Sequence, residues 1–119
     1  MPSQVGAAFA AADLIADLPY RWGGGHASFQ DNAYDCSGSV SWVLHGAGLL
    51  DEPLASGDLE RYGEPGPGRW ITIYANAAHT WMVIGGWRYD TGNLPATGTR
   101  WSDAPRSTKG FVVRHPPGL

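Results

Sequence analysis

The spacing of apolar residues changes partway along the chain, from a helical period in the first half to alternation in the second. A helix is predicted from Ser3 to Leu18, capped by Ser3, because four apolar residues recur at helical spacing, namely Val5, Phe9, Ala12 and Ile15. A second helix is predicted from Asp35 to about Gly48, because Asp35 is a favourable capping residue and positions 40, 43, 44 and 47 form an apolar stripe. A short helix is expected near residues 57–62.

Alternation of apolar and polar residues begins at Arg69 and predicts an antiparallel sheet. Strands are expected at residues 69–75, 79–84, 87–91 and 111–114, with a loop over 93–99. Gly85-Gly86 is typical of a two-residue hairpin turn, which would pair Ile84 with Trp87 and Trp81 with Asp90. Helices followed by antiparallel strands indicate the α+β class, with the N-terminal helices packed on a small sheet.

Composition narrows the class of protein. The 119 residues fit one domain over residues 1–119, and a hydrophobic fraction of 43% with six Trp argues against disorder. A net charge of −3 disfavours nucleic acid or an anionic membrane as the main partner, and no apolar run is long enough for a membrane span. Residues 1–18 lack the basic start of a signal peptide. We therefore expect an export signal upstream in a longer secreted chain, or export by another route.

The single cysteine, Cys36, is the first candidate for chemistry. One thiol excludes an intramolecular disulfide and a zinc site built from several thiolates. In the first turn of the second helix, the helix dipole and free N–H groups would favour the nucleophilic thiolate and could stabilise an oxyanion. The alternative is that Cys36 is a small buried apolar side chain.

A nucleophilic cysteine needs a base, and the chain has four histidines. His45 falls on the opposite face of the helix from Cys36, and His115 is near the chain end. His26 follows a glycine loop and could approach Cys36. His79 begins a predicted strand, which is a rigid mount for a base. The hairpin register places a carboxylate, Asp90, on the same face as His79, where it could orient the imidazole.

The third position stays open at this stage. Thr91 and Asn93 are the fallback candidates, because a slip of one residue would send Asp90 to the other face. Asp90 could also be a solvated acid at the strand end.

These candidates lie in segments that resemble the NlpC/P60 cysteine peptidases. The resemblance is carried, in order, by Pro19-Tyr20-Arg21-Trp22-Gly23-Gly24, by Tyr34-Asp35-Cys36-Ser37-Gly38, and by Ala78-His79 leading into Gly85-Gly86. It implies a papain-like α+β domain that hydrolyses amide bonds in peptidoglycan peptides, usually between D-γ-glutamyl and diaminopimelate or Lys. It also implies a cell-wall or extracellular location and no metal or cofactor.

The resemblance assigns roles to individual residues. Cys36 matches the family's nucleophile, His79 matches its base, and Asp90 falls close to the third polar position. Tyr20 matches a tyrosine near the family's active site.

Further positions of the motif bear on the substrate. Asp35 and Ser37 match positions that contact the amine end of the substrate in some members of the family. The chain departs from the family after the histidine, where Trp81 is expected on the same face as His79, narrowing the cleft or forming a substrate wall.

Two other functions remain open. One is a related thiol amidase or acyltransferase that acts on another amide. The other is a catalytically weak cell-wall binding module with aromatic platforms at Trp70, Trp81, Trp87 and Trp101, although retention of both Cys36 and His79 favours an enzyme. Three arginines are either a site for an anionic ligand or ordinary solvated strand positions, namely Arg69, Arg88 and Arg100.

Overall fold

The computed structural model describes every residue from Met1 to Leu119. Its helices pack on one sheet. The helices are α1 (Ser3–Ile15), α2 (Cys36–Gly46), α3 (Ser56–Leu59) and α4 (Leu94–Thr97), with a 3-10 turn at Thr91–Asn93. The strands are β1 (Glu64–Pro65), β2 (Ile71–Ala75), β3 (Thr80–Ile84), β4 (Trp87–Tyr89), β5 (Trp101–Ser102) and β6 (Val112–His115). The predicted α+β class is confirmed. None of the helices combines the length and the apolar character needed to cross a bilayer.

The six strands form an antiparallel sheet in the order β1-β6-β2-β3-β4-β5. Gly85 and Gly86 form the turn between β3 and β4 with φ values of 55° and 88°, which favour glycine. Ile84 pairs with Trp87, as predicted, and the ladder ends at the pair Met82 and Tyr89. The register therefore brings the start of β3 and the residue after β4 to the same end of the sheet.

One face of the sheet and the first two helices enclose the core. Alternate side chains of β2 and β3 point into the core, as the period of two predicts. Those that are fully buried include Ile71 and Ile73 of β2 and Met82 and Ile84 of β3. They belong to one apolar cluster with residues of α1 and α2, including Val5, Ala8, Ala12, Val40, Val43 and Leu44. This packing fixes α2, and with it Cys36, against β3.

Some boundaries differ from the prediction. Helix α1 ends at Ile15 rather than Leu18, and Pro2 occupies its N-cap, so the predicted Ser3 cap is wrong. The segment expected as a loop over residues 93–99 contains α4. The two-residue strands β1 and β5 were not predicted, because a pair of residues is too short to show alternation.

Arg100 is fully buried and is a structural residue. Its guanidinium donates to the carbonyl oxygens of Ile15, Ala16 and Leu18 at 2.8, 3.3 and 2.6 Å, and these carbonyls lie where α1 ends. It also donates to Ser39 Oγ at 3.0 Å and to the Tyr34 carbonyl at 3.0 Å. Carbonyl groups at a helix C-terminus need such partners, because they have none within the helix.

Of the two alternatives for the three arginines, a shared anion site is therefore wrong, and a solvated position is wrong for Arg100. The N–H groups of Arg100 are used within the protein. Arg88 donates to Asn93, and the Arg69 guanidinium lies over the Trp70 ring, 5.3 Å from its centroid. The three side chains have separate partners and do not converge on one ligand.

Candidate active site

Cys36 is the first residue of α2, as predicted. Asp35 is the N-cap, and its Oδ1 accepts a hydrogen bond from the Gly38 N–H at 2.7 Å. The backbone N–H groups of Cys36 and Ser37 make no hydrogen bond within the protein, since the first N–H groups of a helix have no intrahelical acceptor. Two free donors thus flank the thiol at the positive end of the helix dipole.

The glycine loop packs directly against this helix start. Gly23 N–H donates to Asp35 Oδ2 at 2.9 Å, and Asp35 N–H donates to the Gly24 carbonyl at 3.3 Å. A Cβ atom at Gly38 would collide with the Gly24 carbonyl, and one at Gly24 would collide with the backbone of Ala33. The glycines of both motifs are therefore required for one close backbone approach, which sets the position of Cys36.

His79 and Asp90 meet at the end of the sheet. His79 Nε2 lies 3.0 Å from Asp90 Oδ1, and the Asp90 side chain is only 1% exposed. Asp90 also accepts hydrogen bonds from Gly92 N–H at 2.9 Å and from Arg106 Nη1 at 2.8 Å. Burial opposes the charge of this carboxylate, but these hydrogen bonds outweigh it and lower the pKa of Asp90 to about 2.

The other nitrogen of His79 is available to Cys36. An ionised carboxylate only accepts hydrogen bonds, so His79 Nε2 carries a proton and Nδ1 is left for the thiol. The hydrogen bond with Asp90 and, next in size, one with Cys36 raise the pKa of His79 to about 9, although burial opposes the rise. The ring is therefore predominantly an imidazolium at neutral pH.

The structure separates the three candidates for the third position. Asp90 contacts His79, whereas Asn93 donates through Nδ2 to the Arg100 carbonyl at 2.8 Å. Thr91 lies in the 3-10 turn and makes no side-chain hydrogen bond with His79. His45 and His115 face the carbonyl oxygens of Leu50 and Gly66, each at 2.9 Å from Nδ1.

A cleft of about 460 Å³ opens beside Cys36. Its lining combines aromatic rings, small apolar residues and polar groups, namely Tyr20, Trp22, Gly23, His26, Asp35, Cys36, Ser37, Ala55, Ser56, Ala77 and Ala78. Burial, together with the charges of Cys36 and Asp35, raises the pKa of Tyr20, so its hydroxyl remains a hydrogen-bond donor. Trp22 is 86% exposed at this cleft and was not predicted as part of the site.

Trp81 does not form the expected wall of this cleft. It is 2% exposed, its ring stacks on Tyr74 at 4.1 Å between centroids, and it packs edge-to-face with Phe111 at 5.9 Å between centroids. It lines a separate cavity of about 250 Å³, together with Arg88 and Arg106. The expectation of a substrate wall is wrong because the loop that carries Arg106 covers the ring.

Two neighbours of the site were not predicted as site residues, although His26 had been weighed as a base. His26 Nε2 lies 2.9 Å from both Asp35 Oδ1 and Ser37 Oγ. Arg106 lies over the rings of Trp81 and Phe111, at 5.5 and 5.4 Å from their centroids, while it contacts Asp90. The position of His26 after three glycines was a weak signal, and Arg106 lies in a polar loop without any pattern.

The arrangement contains the groups needed for acyl transfer through a thiol. It combines a cysteine at a helix N-terminus, a histidine beside it and a buried carboxylate that holds the histidine. Similar sites occur on unrelated folds, so the fold must be compared separately.

Comparison with known proteins identifies the fold. No family model and no curated protein matches the sequence. Among solved structures, the peptidoglycan hydrolase RipB from Mycobacterium tuberculosis is similar, with a TM-score of 0.69 and 23% identity over 95% of this chain and 64% of that chain. The P60 domain of an antigen from Mycobacterium avium subspecies paratuberculosis has a TM-score of 0.66 and 23% identity over 94% of both chains.

A lipoprotein-like protein of the NLP/P60 family from Staphylococcus aureus is also similar, with a TM-score of 0.64 and 20% identity over 94% of this chain and 40% of that one. The chain therefore has the NlpC/P60 fold, and the resemblance seen in its motifs is confirmed at the level of the fold. It spans about two thirds or less of the RipB and staphylococcal chains.

Proposed function

We propose that this chain is a cysteine peptidase of the NlpC/P60 type that hydrolyses amide bonds in peptidoglycan stem peptides. The expected bond joins D-γ-glutamyl to diaminopimelate or Lys, and the expected place of action is the cell wall or the extracellular side. The fold it shares with RipB and with P60 domains supports the substrate class. The single observation that carries the proposal is the position of one histidine, His79, which is hydrogen-bonded to a buried carboxylate and whose pKa the only thiol also raises.

The first step forms a thioester. His79 Nδ1 holds the proton that the Cys36 thiol has given up, and the thiolate attacks the carbonyl carbon of the scissile amide. The carbonyl oxygen becomes an oxyanion, for which the free N–H groups of Cys36 and Ser37 are the nearest backbone donors at the helix start. Tyr20 is the candidate side-chain donor, since its hydroxyl keeps its proton.

Collapse of the oxyanion breaks the C–N bond. The leaving amine takes the proton from His79 Nδ1, and Asp90 holds Nε2 throughout. A water molecule then gives its proton to the same nitrogen and attacks the thioester. The acid is released, and the Cys36 thiolate is regenerated beside the imidazolium.

Digestion of purified peptidoglycan, read by mass spectrometry, tests this proposal. Wild type is compared with Cys36→Ala and His79→Ala, and His45→Ala is the matched control, because His45 lies on α2 with its Nδ1 2.9 Å from the Leu50 carbonyl oxygen. Cys36→Ala and His79→Ala should each lower the rate by about 10³-fold or more, whereas the control should stay within about twofold. Cleavage that survives Cys36→Ala would refute the thiol mechanism, and wild type without any cleavage would refute the function.

A further inference from the structure

A second cavity lies on the face of the sheet that points away from the core. Trp81 and Val83 alternate along β3 with side chains of the core, so they point to the opposite face, and Arg88 pairs with Val83 from β4. The loop over residues 103–108 lies against these side chains and completes a cavity of about 250 Å³. None of the residues that line it also lines the cleft beside Cys36, so the two sites are separate.

Two side chains that line this cavity carry a buried donor without an acceptor. The indole Nε1 of Trp81 and the Nε of Arg88 make no hydrogen bond within the protein. Arg88 Nε lies 3.7 Å from Asp90 Oδ2, which is beyond hydrogen-bond distance. A buried donor without a partner is costly, and both groups are donors only. The ligand that suits them is therefore an acceptor.

The charges around the cavity favour an anion over a neutral acceptor. Asp90 Oδ2 lies 2.8 Å from Arg106 Nη1 and 3.7 Å from Arg88 Nε, and both arginines line the cavity. The other oxygen of the same carboxylate is bonded to His79, which is predominantly an imidazolium. Asp103, the only acidic residue that lines the cavity, is exposed and forms no ion pair. One buried carboxylate thus faces three cationic groups, and positive charge is in excess.

We propose that this cavity is a binding site for a small carboxylate. Guanidinium groups present paired N–H donors that match the two oxygens of a carboxylate, and the indole N–H is a further donor. The volume is many times the roughly 15 Å³ that one water molecule requires, so a small organic anion has room. A doubly charged phosphate suits the cavity less well, because Asp90 contacts the same guanidiniums and Asp103 lines the cavity. The site does not depend on the proposed peptidase function.

Titration with sodium acetate, followed through the indole N–H signals in NMR spectra, tests the inference. Acetate replaces chloride at constant ionic strength and neutral pH, acetamide is the matched uncharged probe, and inorganic phosphate is the second anion. The Trp81 signal, assigned by its loss in Trp81→Phe, should shift saturably with a Kd of about 1–10 mM, an affinity within the limit for so small a ligand. The signal of Trp22, which lies at the cleft, should not move.

Three results of this titration would overturn the inference. They are the lack of a saturable response of Trp81 to acetate, an equal response to acetamide, and tighter binding of phosphate than of acetate.

Variants test whether the cavity itself holds the carboxylate. Arg88→Met should weaken acetate binding at least tenfold, whereas Arg69→Met removes a guanidinium that does not line the cavity and should leave the Kd unchanged. Thr108 is exposed and lines the cavity, so Thr108→Glu should weaken binding about tenfold by charge repulsion without disturbing the fold. Thr108→Gln, its uncharged counterpart, should bind as wild type does. An unchanged Kd in Thr108→Glu, or in Arg88→Met where that variant folds, would overturn the assignment.

Asp90 connects this cavity with the proposed active site. A bound carboxylate and Asp90 would share the guanidiniums of Arg88 and Arg106, and the two negative charges repel each other. Asp90→Asn should therefore tighten acetate binding by about threefold or more, whereas Asp51→Asn, at an exposed carboxylate, should not. A Kd that stays the same or rises in Asp90→Asn would overturn this connection.

Discussion

Replacement of Asp90 by Asn tests the link between the buried carboxylate and the charge on His79. Asn keeps the size of the side chain and an oxygen that can face Gly92 N–H, but it removes the negative charge. The positive charges of Arg106 and Arg88, whose guanidinium nitrogens lie 2.8 and 3.7 Å from the Asp90 carboxylate, would then no longer be offset. We expect the imidazolium to lose its stabilisation and the pKa of His79 to fall toward its ordinary value or below it.

The magnitude follows from the two pKa values. A rise in the pKa of His79 from 6.5 to about 9 corresponds to about 3 kcal/mol, and the fall for Asp90 from 3.8 to about 2 corresponds to about 2 kcal/mol. Both values describe largely the same hydrogen-bonded pair, so they are not added. The smaller value is preferred because Asp90 is almost completely buried, whereas His79 is partly screened by solvent. Asp90→Asn should therefore lower the free energy of unfolding by about 2 kcal/mol at pH 6.

The sign of the pH dependence is set by both groups. The raised pKa of His79 stabilises the fold fully below pH 6.5, and this contribution is lost as the pH rises through about 9. The lowered pKa of Asp90 stabilises the fold above about pH 4 and is lost as the pH falls toward 2. The difference between wild type and Asp90→Asn should therefore be largest near pH 5–6 and smaller at pH 10.

Urea unfolding at pH 6 and pH 10 measures this difference, and NMR titration of the imidazole measures the pKa of His79 directly. Asp51→Asn is the matched control, because it makes the same change at an exposed carboxylate without a side-chain partner. The variant should also lower kcat/KM by roughly 10³-fold. An unchanged pKa of His79, or equal differences in stability at both pH values, would refute the reasoning.

Three further substitutions test other contacts. Arg100→Met should lower the free energy of unfolding by about 3 kcal/mol or more, because it leaves buried carbonyl groups without donors, and a loss under about 1 kcal/mol in urea unfolding would contradict this. Gly38→Ala should destabilise by about 2 kcal/mol or more through its collision with the Gly24 carbonyl, whereas Gly6→Ala, with open space around it, should stabilise by about 0.5 kcal/mol, and similar effects of both would contradict the packing. Arg106→Gln should lower the rate by about tenfold and shift the alkaline limb of the pH–rate profile only slightly, because the carboxylate loses one charged partner but keeps the imidazole. An unaltered rate would contradict a positioning role.

The second helix and the hairpin could be predicted because local rules govern them. Asp35 is a strong N-cap residue, and the stripe that follows it has a helical period, so the start of α2 was predicted within one residue. Gly85-Gly86 fixes both the turn and the register of β3 against β4. That register brought His79 and Asp90 to the same side, which the hydrogen bond between them confirms.

Contacts between residues distant in sequence could not be predicted in the same way. The position of Arg106 depends on how the loop after β5 folds back over Trp81, and no periodic pattern encodes that return. The same fold-back explains why Trp81, which was expected on the same face of the sheet as His79, is buried instead of lining the cleft. His26 was underestimated because a histidine after glycines has no defined direction until Asp35 and Ser37 hold its ring.

Arg100 connects the two halves of the proposed active site. Its guanidinium holds the carbonyl of Tyr34 and the hydroxyl of Ser39, which lie on either side of the Cys36 segment. Its own carbonyl accepts the backbone N–H of Asp90 at 2.9 Å. One buried residue thus fixes the helix start that carries the thiol and the strand end that carries the carboxylate. A shift of about 1 Å between the thiol and the imidazole is costly for catalysis. Variants of Arg100 that still fold should therefore lose activity even where the cleft keeps its shape.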